Sequence, residues 1–151
     1  MTIRLLSPQE TPPYDLLLLA DPSVLMLEKY LFISSVYVAT IEVEIVGVFV
    51  LCPIDKTLIE IKNIAVAETH QGKGIGKKLL AYAIAKAREQ GFQEIQIGTA
   101  NSSIGQLALY QKMGFEMDSI RKGFFIDNYP EPIYENGILV RDMVVLKQYL
   151  R

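Results

Sequence analysis

Residues 65–91 read AVAETHQGKGIGKKLLAYAIAKAREQG and place three alternate glycines directly before a long run of helical spacing. Apolar residues in that run recur at steps of one, three and four, and charged residues fill most of the opposite face, which is typical of an amphipathic helix. We expect the helix to begin near Lys73 and to end at Gly91. Its predicted buried face consists of Ile75, Leu79, Leu80, Ala83, Ile84 and Ala87.

The glycine turn lies between a predicted strand that ends at Val66 and this helix. Backbone N–H groups at a helix start are unpaired and carry the positive end of the helix dipole, so a glycine turn there can bring amides against a phosphate. A tight connection that only needs positive φ is the alternative. The P-loop spacing and the Rossmann Gly-x-Gly-x-x-Gly spacing are both absent from GKGIGKK.

The rest of the chain predicts further strands and helices. TIRLL is a strand, residues 14–32 contain two short amphipathic helices, and three Val- and Ile-rich runs over 35–66 form an antiparallel meander. Beyond Gly91, EIQIGT is a strand, SSIGQLALYQKM is a helix that stops at Gly114, and the closing strands are FEMDSIRKGFF and GILVRDMVVLKQYL. This order predicts an α/β fold whose mixed sheet has a parallel step around the glycine-started helix.

Composition limits the class of protein. A chain of 151 residues fits one domain spanning 1–151, and a formal charge of -2 with no basic stripe argues against nucleic acid as a partner. No secretory signal or uninterrupted apolar span is present, so we expect a cytoplasmic protein without a membrane anchor. One histidine, His70, and one cysteine, Cys52, cannot form a usual zinc site, and we expect no metal. Cys52 is expected to be a buried apolar residue and His70 an exposed loop residue.

Two motifs resemble a known family. Gln71-x-x-Gly74-x-Gly76, preceded by Ile64-Ala65-Val66, resembles motif A of the GNAT superfamily of N-acetyltransferases. Asn101 follows the next strand, and Tyr110-x-x-x-Gly114-Phe115 resembles motif B. The resemblance implies a single-domain GNAT fold, with a mixed central sheet of about seven strands flanked by four helices and splayed at the fourth and fifth strands.

The resemblance also implies acetyl-CoA as the donor. Its pantetheine arm would pair with the backbone of the fourth strand, and an amide near Ile64 or Ala65 would polarise the thioester carbonyl. The strand is expected to leave its neighbour just beyond Val66, and Asn101 is expected to contact CoA or to cap the helix starting at Ser102. The implied cofactor-binding residues are Ile64, Ala65, Val66, Gln71, Gly72, Lys73, Gly74, Ile75, Gly76, Asn101 and Tyr110.

Two side chains are candidates for catalysis. An aromatic residue on a helix usually packs in the core, but the resemblance implies that Tyr110 protonates the departing CoA thiolate. Glu60 is the candidate base for the attacking amine, and the alternative is a solvent-facing position paired with Lys62 or Lys56.

The segment 124–137 carries three acids, Asp127, Glu131 and Glu135, among aromatic residues and prolines. Because prolines exclude regular strand at Pro130 and Pro132, we expect a loop over the acceptor site, an interface in a homodimer or higher homo-oligomer, or a merely exposed acidic loop. The expected function is acetyl transfer from acetyl-CoA to a primary amine, with a small cationic amine favoured, by direct attack through a tetrahedral intermediate. The alternatives are a catalytically silent acyl-CoA-binding regulatory module and a nucleotide-binding regulatory domain.

Overall fold

A computed structural model describes residues 1–151 and confirms the α/β class. The elements are β1 Thr2–Leu5, α1 Tyr14–Ala20, α2 Val24–Tyr30, β2 Ser35–Ile41, β3 Glu44–Pro53, β4 Leu58–Val66, α3 Ile75–Glu89, β5 Glu94–Ala100, α4 Ile104–Lys112, β6 Glu116–Arg121, α5 Phe124–Asn128, β7 Tyr134–Glu135, β8 Ile138–Leu139 and β9 Met143–Tyr149. No helix is long and apolar enough to cross a bilayer.

Seven strands form one sheet in the order β1-β2-β3-β4-β5-β9-β6, and β7 pairs with β8 as a separate hairpin. The pairs β1·β2, β2·β3 and β3·β4 are antiparallel, which confirms the predicted meander. The β4·β5 pair is parallel, with α3 as its crossover, and β9 lies antiparallel between β5 and β6. A mixed sheet with a single parallel step therefore lies at the centre of the molecule.

The sheet opens between β4 and β5, as predicted for the fourth and fifth strands. Residues 58–61 pair with residues 94–97, and the ladder stops there. The predicted point of divergence beyond Val66 is therefore wrong, because the strands separate after Ile61. On its other side β4 shifts register against β3 and leaves Lys62 without a partner. A bulge bends its strand, which accounts for the early separation.

Two apolar clusters cover the two faces of the sheet. One contains the buried residues of α3, and these are the six predicted from the spacing of that helix. Phe49 and Tyr37 stack within it with ring centroids 4.8 Å apart. The other cluster lies under α1 and α2 and includes Leu17, Leu27 and Val48. The sheet is thus buried on both sides around the opening.

Several predicted boundaries are wrong. The helix α3 begins at Ile75, after Gly74 in the left-handed conformation at φ 82°, and not near Lys73. The strand predicted over 115–125 ends at Arg121, because Gly123, at φ 70°, turns the chain into α5. The strand predicted over 137–150 is divided into β8 and β9. No strand includes Pro130 or Pro132, as expected.

Candidate active site

The turn before α3 presents a row of free amides. None of the backbone N–H groups from Gly72 to Lys77 donates a hydrogen bond within the chain. Gly72 and Gly74 both have positive φ, and a Cβ built on either one would meet no atom within 4 Å. All of the residues from Gly72 to Lys77 except Lys73 line a cavity of about 450 Å³, which we call the glycine-loop cavity, and their amides lie at the positive end of the α3 dipole. The turn can therefore bind an anionic group such as a phosphate.

The β4 backbone supplies the next part of this cavity. Ala67 N–H donates to Val46 O at 2.8 Å on β3. Because backbone groups alternate in direction along a strand, those of Ala65 also bond to β3, whereas those of Ile64 and Val66 point into the gap beside β5. Gln71 Nε2 donates to Val66 O at 3.0 Å and ties the glycine turn to the strand. The Ile64 amide faces the gap, where β5 no longer pairs with β4. It is free to donate to a ligand.

Tyr110 lies at the end of the gap, on α4. Its side chain is only 5% exposed, and it packs on Phe115 with ring centroids 6.2 Å apart. The hydroxyl makes no hydrogen bond within the chain. Burial raises the pKa of Tyr110 above its ordinary value. The phenol therefore stays protonated at neutral pH and can act as a proton donor.

A second cavity, of about 440 Å³, adjoins the first and is called here the central cavity. The residues that line both cavities come from α1, β4 and α4: Leu19, Ala20, Ile64, Gln106 and Tyr110. Side chains of the segment 124–137 cover the central cavity from the other side, among them Phe125, Tyr129, Tyr134 and Glu135. The two cavities thus meet at the Ile64 amide and the Tyr110 side chain.

Of the three acids predicted at the acceptor site, only Glu135 lines the central cavity. Its Oε1 accepts hydrogen bonds from Ser103 Oγ at 2.6 Å and from Ser102 Oγ at 3.3 Å. Asp127 and Glu131 are exposed and line none of the three main cavities. Of the alternatives for segment 124–137, the exposed acidic loop fits Asp127 and Glu131, whereas Glu135 lies over the proposed acceptor site.

Glu60 lies on β4 and is only 6% exposed, so a solvent-facing position is wrong. It accepts a hydrogen bond from Gln96 Nε2, its partner across the parallel pair, and forms an ion pair with Lys62 Nζ at 3.2 Å. It lines a third cavity of about 440 Å³, which we call the Glu60 cavity. That cavity adjoins the central cavity at a set of shared residues: Asp21, Ile61, Lys62, Gly98, Tyr129 and Met143.

Two predicted cofactor residues lie outside the glycine-loop cavity. Asn101 neither caps α4 nor faces that cavity: its Nδ2 donates to Leu139 O, and its Oδ1 accepts from Arg141 N and Asp142 N. Through these bonds Asn101 holds the chain between β8 and β9. It does not cap α4, because that helix starts only after Ser103. Lys73 is exposed and absent from the lining, whereas Lys77 is part of it. All other predicted cofactor residues line this cavity.

The sequence reasoning missed Asp21 and Asn63. Asp21 Oδ1 accepts from Tyr129 OH at 2.7 Å, and its Oδ2 accepts from Tyr30 OH at 3.3 Å. Asn63 Nδ2 donates to the same Tyr30 hydroxyl and to Leu17 O. Burial, with the adjacent Asp21, raises the pKa of Tyr129 and of Tyr30. These contacts join residues distant in sequence, and no local pattern identifies them.

Neither the single cysteine nor the single histidine belongs to a cluster of ligating side chains. Cys52 is a buried free thiol on β3, as expected. His70 is partly buried at the glycine-loop cavity, with its Nδ1 2.9 Å from Thr69 Oγ1. No group of three or more His, Cys, Asp or Glu side chains is arranged to hold a metal ion.

Comparison with known proteins identifies the family. The model of the Acetyltransferase (GNAT) family matches residues 4–115. The chain is 51% identical over 133 residues to YvbK, an uncharacterized N-acetyltransferase of Bacillus subtilis, covering 88% of this chain and 86% of that protein.

Two solved structures share the fold over nearly the whole chain. A GNAT family acetyltransferase from Elizabethkingia anophelis with acetyl-CoA bound is 52% identical, with a TM-score of 0.97 over 99% of this chain and 97% of that one. A Bacillus subtilis acetyltransferase in complex with CoA is 48% identical, with a TM-score of 0.93 over 99% of this chain and 98% of that one. The chain therefore belongs to the GNAT family and is an N-acetyltransferase.

Proposed function

We propose that this GNAT family member transfers the acetyl group of acetyl-CoA to a small primary amine by direct attack. The observation that carries the proposal is the meeting of two cavities at Ile64 and Tyr110. One cavity has the free amides that a pyrophosphate requires, and the other has room for a small molecule. A donor and an acceptor bound in the two cavities would have their reacting atoms between these two residues.

The glycine-loop cavity holds the donor in this proposal. The amides from Gly72 to Lys77 bind the pyrophosphate, and Lys73 adds positive charge from the solvent side. The backbone N–H groups of Ile64 and Val66 and the Ile64 carbonyl pair with the pantetheine arm as an added strand would, since the Val66 carbonyl already accepts from Gln71. Two relatives about half identical to this chain hold acetyl-CoA or CoA in their structures, which supports this assignment.

The chain's groups then act in sequence. The bound ammonium first gives one proton to a base, and the neutral amine nitrogen then attacks the thioester carbonyl carbon while the Ile64 N–H donates to the oxygen that becomes negative. The carbon–sulfur bond breaks as the tetrahedral intermediate collapses, and Tyr110 gives its proton to the thiolate sulfur. The nitrogen loses its second proton, which returns through water to the Tyr110 phenolate and leaves the neutral amide.

Glu60 is the proposed base. It lies in the Glu60 cavity rather than beside Tyr110, and so water in the adjoining central cavity must carry the proton to it. Lys62, which lines both cavities, forms an ion pair with Glu60 at 3.2 Å and holds its carboxylate in place in this proposal. The same arrangement also suits a purely structural ion pair, and substitution of Glu60 distinguishes the two.

The acceptor is proposed to be a cationic amine of small size. Glu135 and Asp21 bring carboxylates to the central cavity, and the rings of Phe125 and Tyr129, stacked with centroids 5.6 Å apart, give it aromatic faces. Carboxylates and aromatic faces both attract a cation. A volume of about 440 Å³ lies in the range of small-molecule sites.

Thiol release from acetyl-CoA tests the proposal, with the acetylated product identified by mass spectrometry. The purified protein is assayed with monoamines, polyamines, aminoglycosides and amino acids at low and high salt. We expect release with cationic primary amines, weakening as salt screens the attraction. Tight binding of acetyl-CoA without release for any amine would instead establish the catalytically silent module.

A further inference from the structure

We infer that Asp21 and Asn63 together bind the ammonium group of the acceptor, Asp21 supplying the charge and Asn63 Oδ1 a second hydrogen-bond acceptor. This inference rests on the proposed acetyl transfer and names the side chains that select its acceptor. The residues that select the acceptor amine then lie in the α1–α2 connection and in β4, rather than in the acidic segment 124–137.

Asp21 is held in place before any ligand arrives. It ends α1, and two tyrosine hydroxyls, from Tyr129 in the segment 124–137 and Tyr30 in α2, donate to its two carboxylate oxygens. Ser23 N–H also donates to Oδ1, at 3.3 Å. A carboxylate has about four lone-pair positions, so capacity remains on Oδ2 for a further donor. Asp21 lines the central cavity in this fixed orientation.

Asn63 carries an unused, buried acceptor within the wall of the same cavity. Its side chain is 4% exposed and lines the central cavity, and Oδ1 has no hydrogen-bond partner. The two bonds that Nδ2 donates, to Leu17 O at 2.9 Å and to Tyr30 OH at 3.2 Å, fix the amide so that Oδ1 cannot exchange places with Nδ2. A buried acceptor without a partner costs free energy, and a ligand N–H would remove that cost.

The two acceptors are close to each other and to the site of reaction. One hydroxyl, that of Tyr30, bonds to both Asp21 and Asn63, so the two side chains are separated by no more than that bridge. Asn63 is adjacent to Ile64, whose amide faces the gap where the thioester is proposed to lie. An ammonium bound between Asp21 and Asn63 would thus place its nitrogen beside that thioester.

The other acids near this cavity are less suited to the role. Glu135 bonds to the two serines before α4 and so fastens the β7–β8 hairpin, and Glu60 is paired with Lys62 in the adjoining cavity. Asp127 and Glu131 do not reach the cavity. Of the two carboxylates that line this cavity, Asp21 alone shares a hydrogen-bonded bridge with Asn63, and it is the one assigned to the ammonium.

Steady-state kinetics of Asp21→Asn test this inference on the full chain. Hydrogen bonds to charged groups contribute about 1.5–3 kcal/mol, and so we expect kcat/KM for a cationic amine to fall by about 10- to 100-fold, mainly through KM. Affinity for acetyl-CoA, measured by calorimetry, should not change. An alkoxyamine of the same length, which is uncharged at pH 7, should lose much less, because Asp21 attracts the charge.

Asn63→Leu is the second variant. Leucine has a similar volume and removes the partnerless acceptor, but it also removes the Nδ2 donor that bonds to Leu17 O and Tyr30 OH. Tm is therefore measured beside the kinetics, and we expect a folded variant in which kcat/KM for the amine falls while the Kd for acetyl-CoA is unchanged. Asp127→Asn is the matched control, because it removes a carboxylate that does not line the cavity. This control should retain most of the wild-type kcat/KM.

Three results would overturn the inference while leaving the acetyl transfer intact. The first is wild-type kcat/KM for cationic amines in both Asp21→Asn and Asn63→Leu. The second is an equal loss of kcat/KM for the amine and the alkoxyamine in Asp21→Asn, and the third is a loss of kcat/KM in Asp127→Asn as large as that in Asp21→Asn. If Asp21→Asn does not fold, the Asn63→Leu result decides. A wild-type protein that releases no thiol with any amine would instead refute the proposed function itself.

Discussion

Replacement of Gly74 by glutamate should abolish most of the binding of CoA. Gly74 has φ 82° at the start of α3, and a side chain there would meet only open space in the apoprotein. That space is where a pyrophosphate would lie against the free amides. The glutamate carboxylate would occupy it and repel the phosphates.

The expected loss follows from electrostatics. Two unit charges about 4 Å apart repel by about 4 kcal/mol at an effective dielectric of 20, which corresponds to about a thousandfold in Kd before screening by salt. The backbone cost is separate, since a non-glycine residue in the left-handed region loses about 1–2 kcal/mol. For a domain of this size each kcal/mol lowers Tm by roughly 2–4 °C. The fold should therefore survive.

Gly91 provides the matched control. It has φ 87° at the other end of α3, and a Cβ there would also meet no atom within 4 Å, but it lines none of the three main cavities. Gly74→Glu and Gly91→Glu should lower Tm by similar amounts. Calorimetry with CoA should show at least a hundredfold weaker binding for Gly74→Glu only, allowing for screening of the roughly 4 kcal/mol repulsion. Equal CoA affinity in the two folded variants would refute the phosphate role of the turn.

Glu60→Gln should lower kcat by about 100-fold or more with little change in acetyl-CoA affinity if Glu60 is the base, and unchanged turnover would leave it as a structural partner of Gln96 and Lys62. Phe49→Ala should lower the free energy of unfolding by about 3–5 kcal/mol, because Phe49 is fully buried and stacked on Tyr37; a urea denaturation that shows less than about 1 kcal/mol would contradict this packing. Because burial raises the pKa of Tyr110, its donor form persists to higher pH than in a free tyrosine, and kcat should show no alkaline loss from this group below about pH 10.

Local sequence patterns predicted the structural features that are determined by residues close together in the chain. The spacing from Ile75 to Ala87 determined the buried face of α3, and the alternate glycines indicated the row of free amides before it. Both features arise within one helix and its N-terminal turn. For the same reason the meander was predictable from three apolar runs joined by short turns.

Features that depend on contacts between distant segments were not predictable. The strand β4 leaves β5 at Ile61 because of a bulge against β3, and such a register shift has no signature in the β4 sequence. Asn101 precedes a helix, as a capping residue does, but its side chain bonds to Arg141 and Asp142, just before β9. Asp21 contacts Tyr129, which is 108 residues away, and only the folded chain brings them together.

Tyr110→Phe tests the proposed protonation of the CoA thiolate by Tyr110 at the junction of the two cavities. Phenylalanine keeps the ring packing on Phe115 and removes only the proton donor. Turnover is measured as thiol release at saturating amine, alongside the calorimetric Kd for acetyl-CoA. We expect kcat to fall roughly ten- to a thousandfold with little change in Kd. A variant with wild-type kcat would contradict the proposed protonation, and would mean that solvent protonates the thiolate and that Tyr110 only packs in the core.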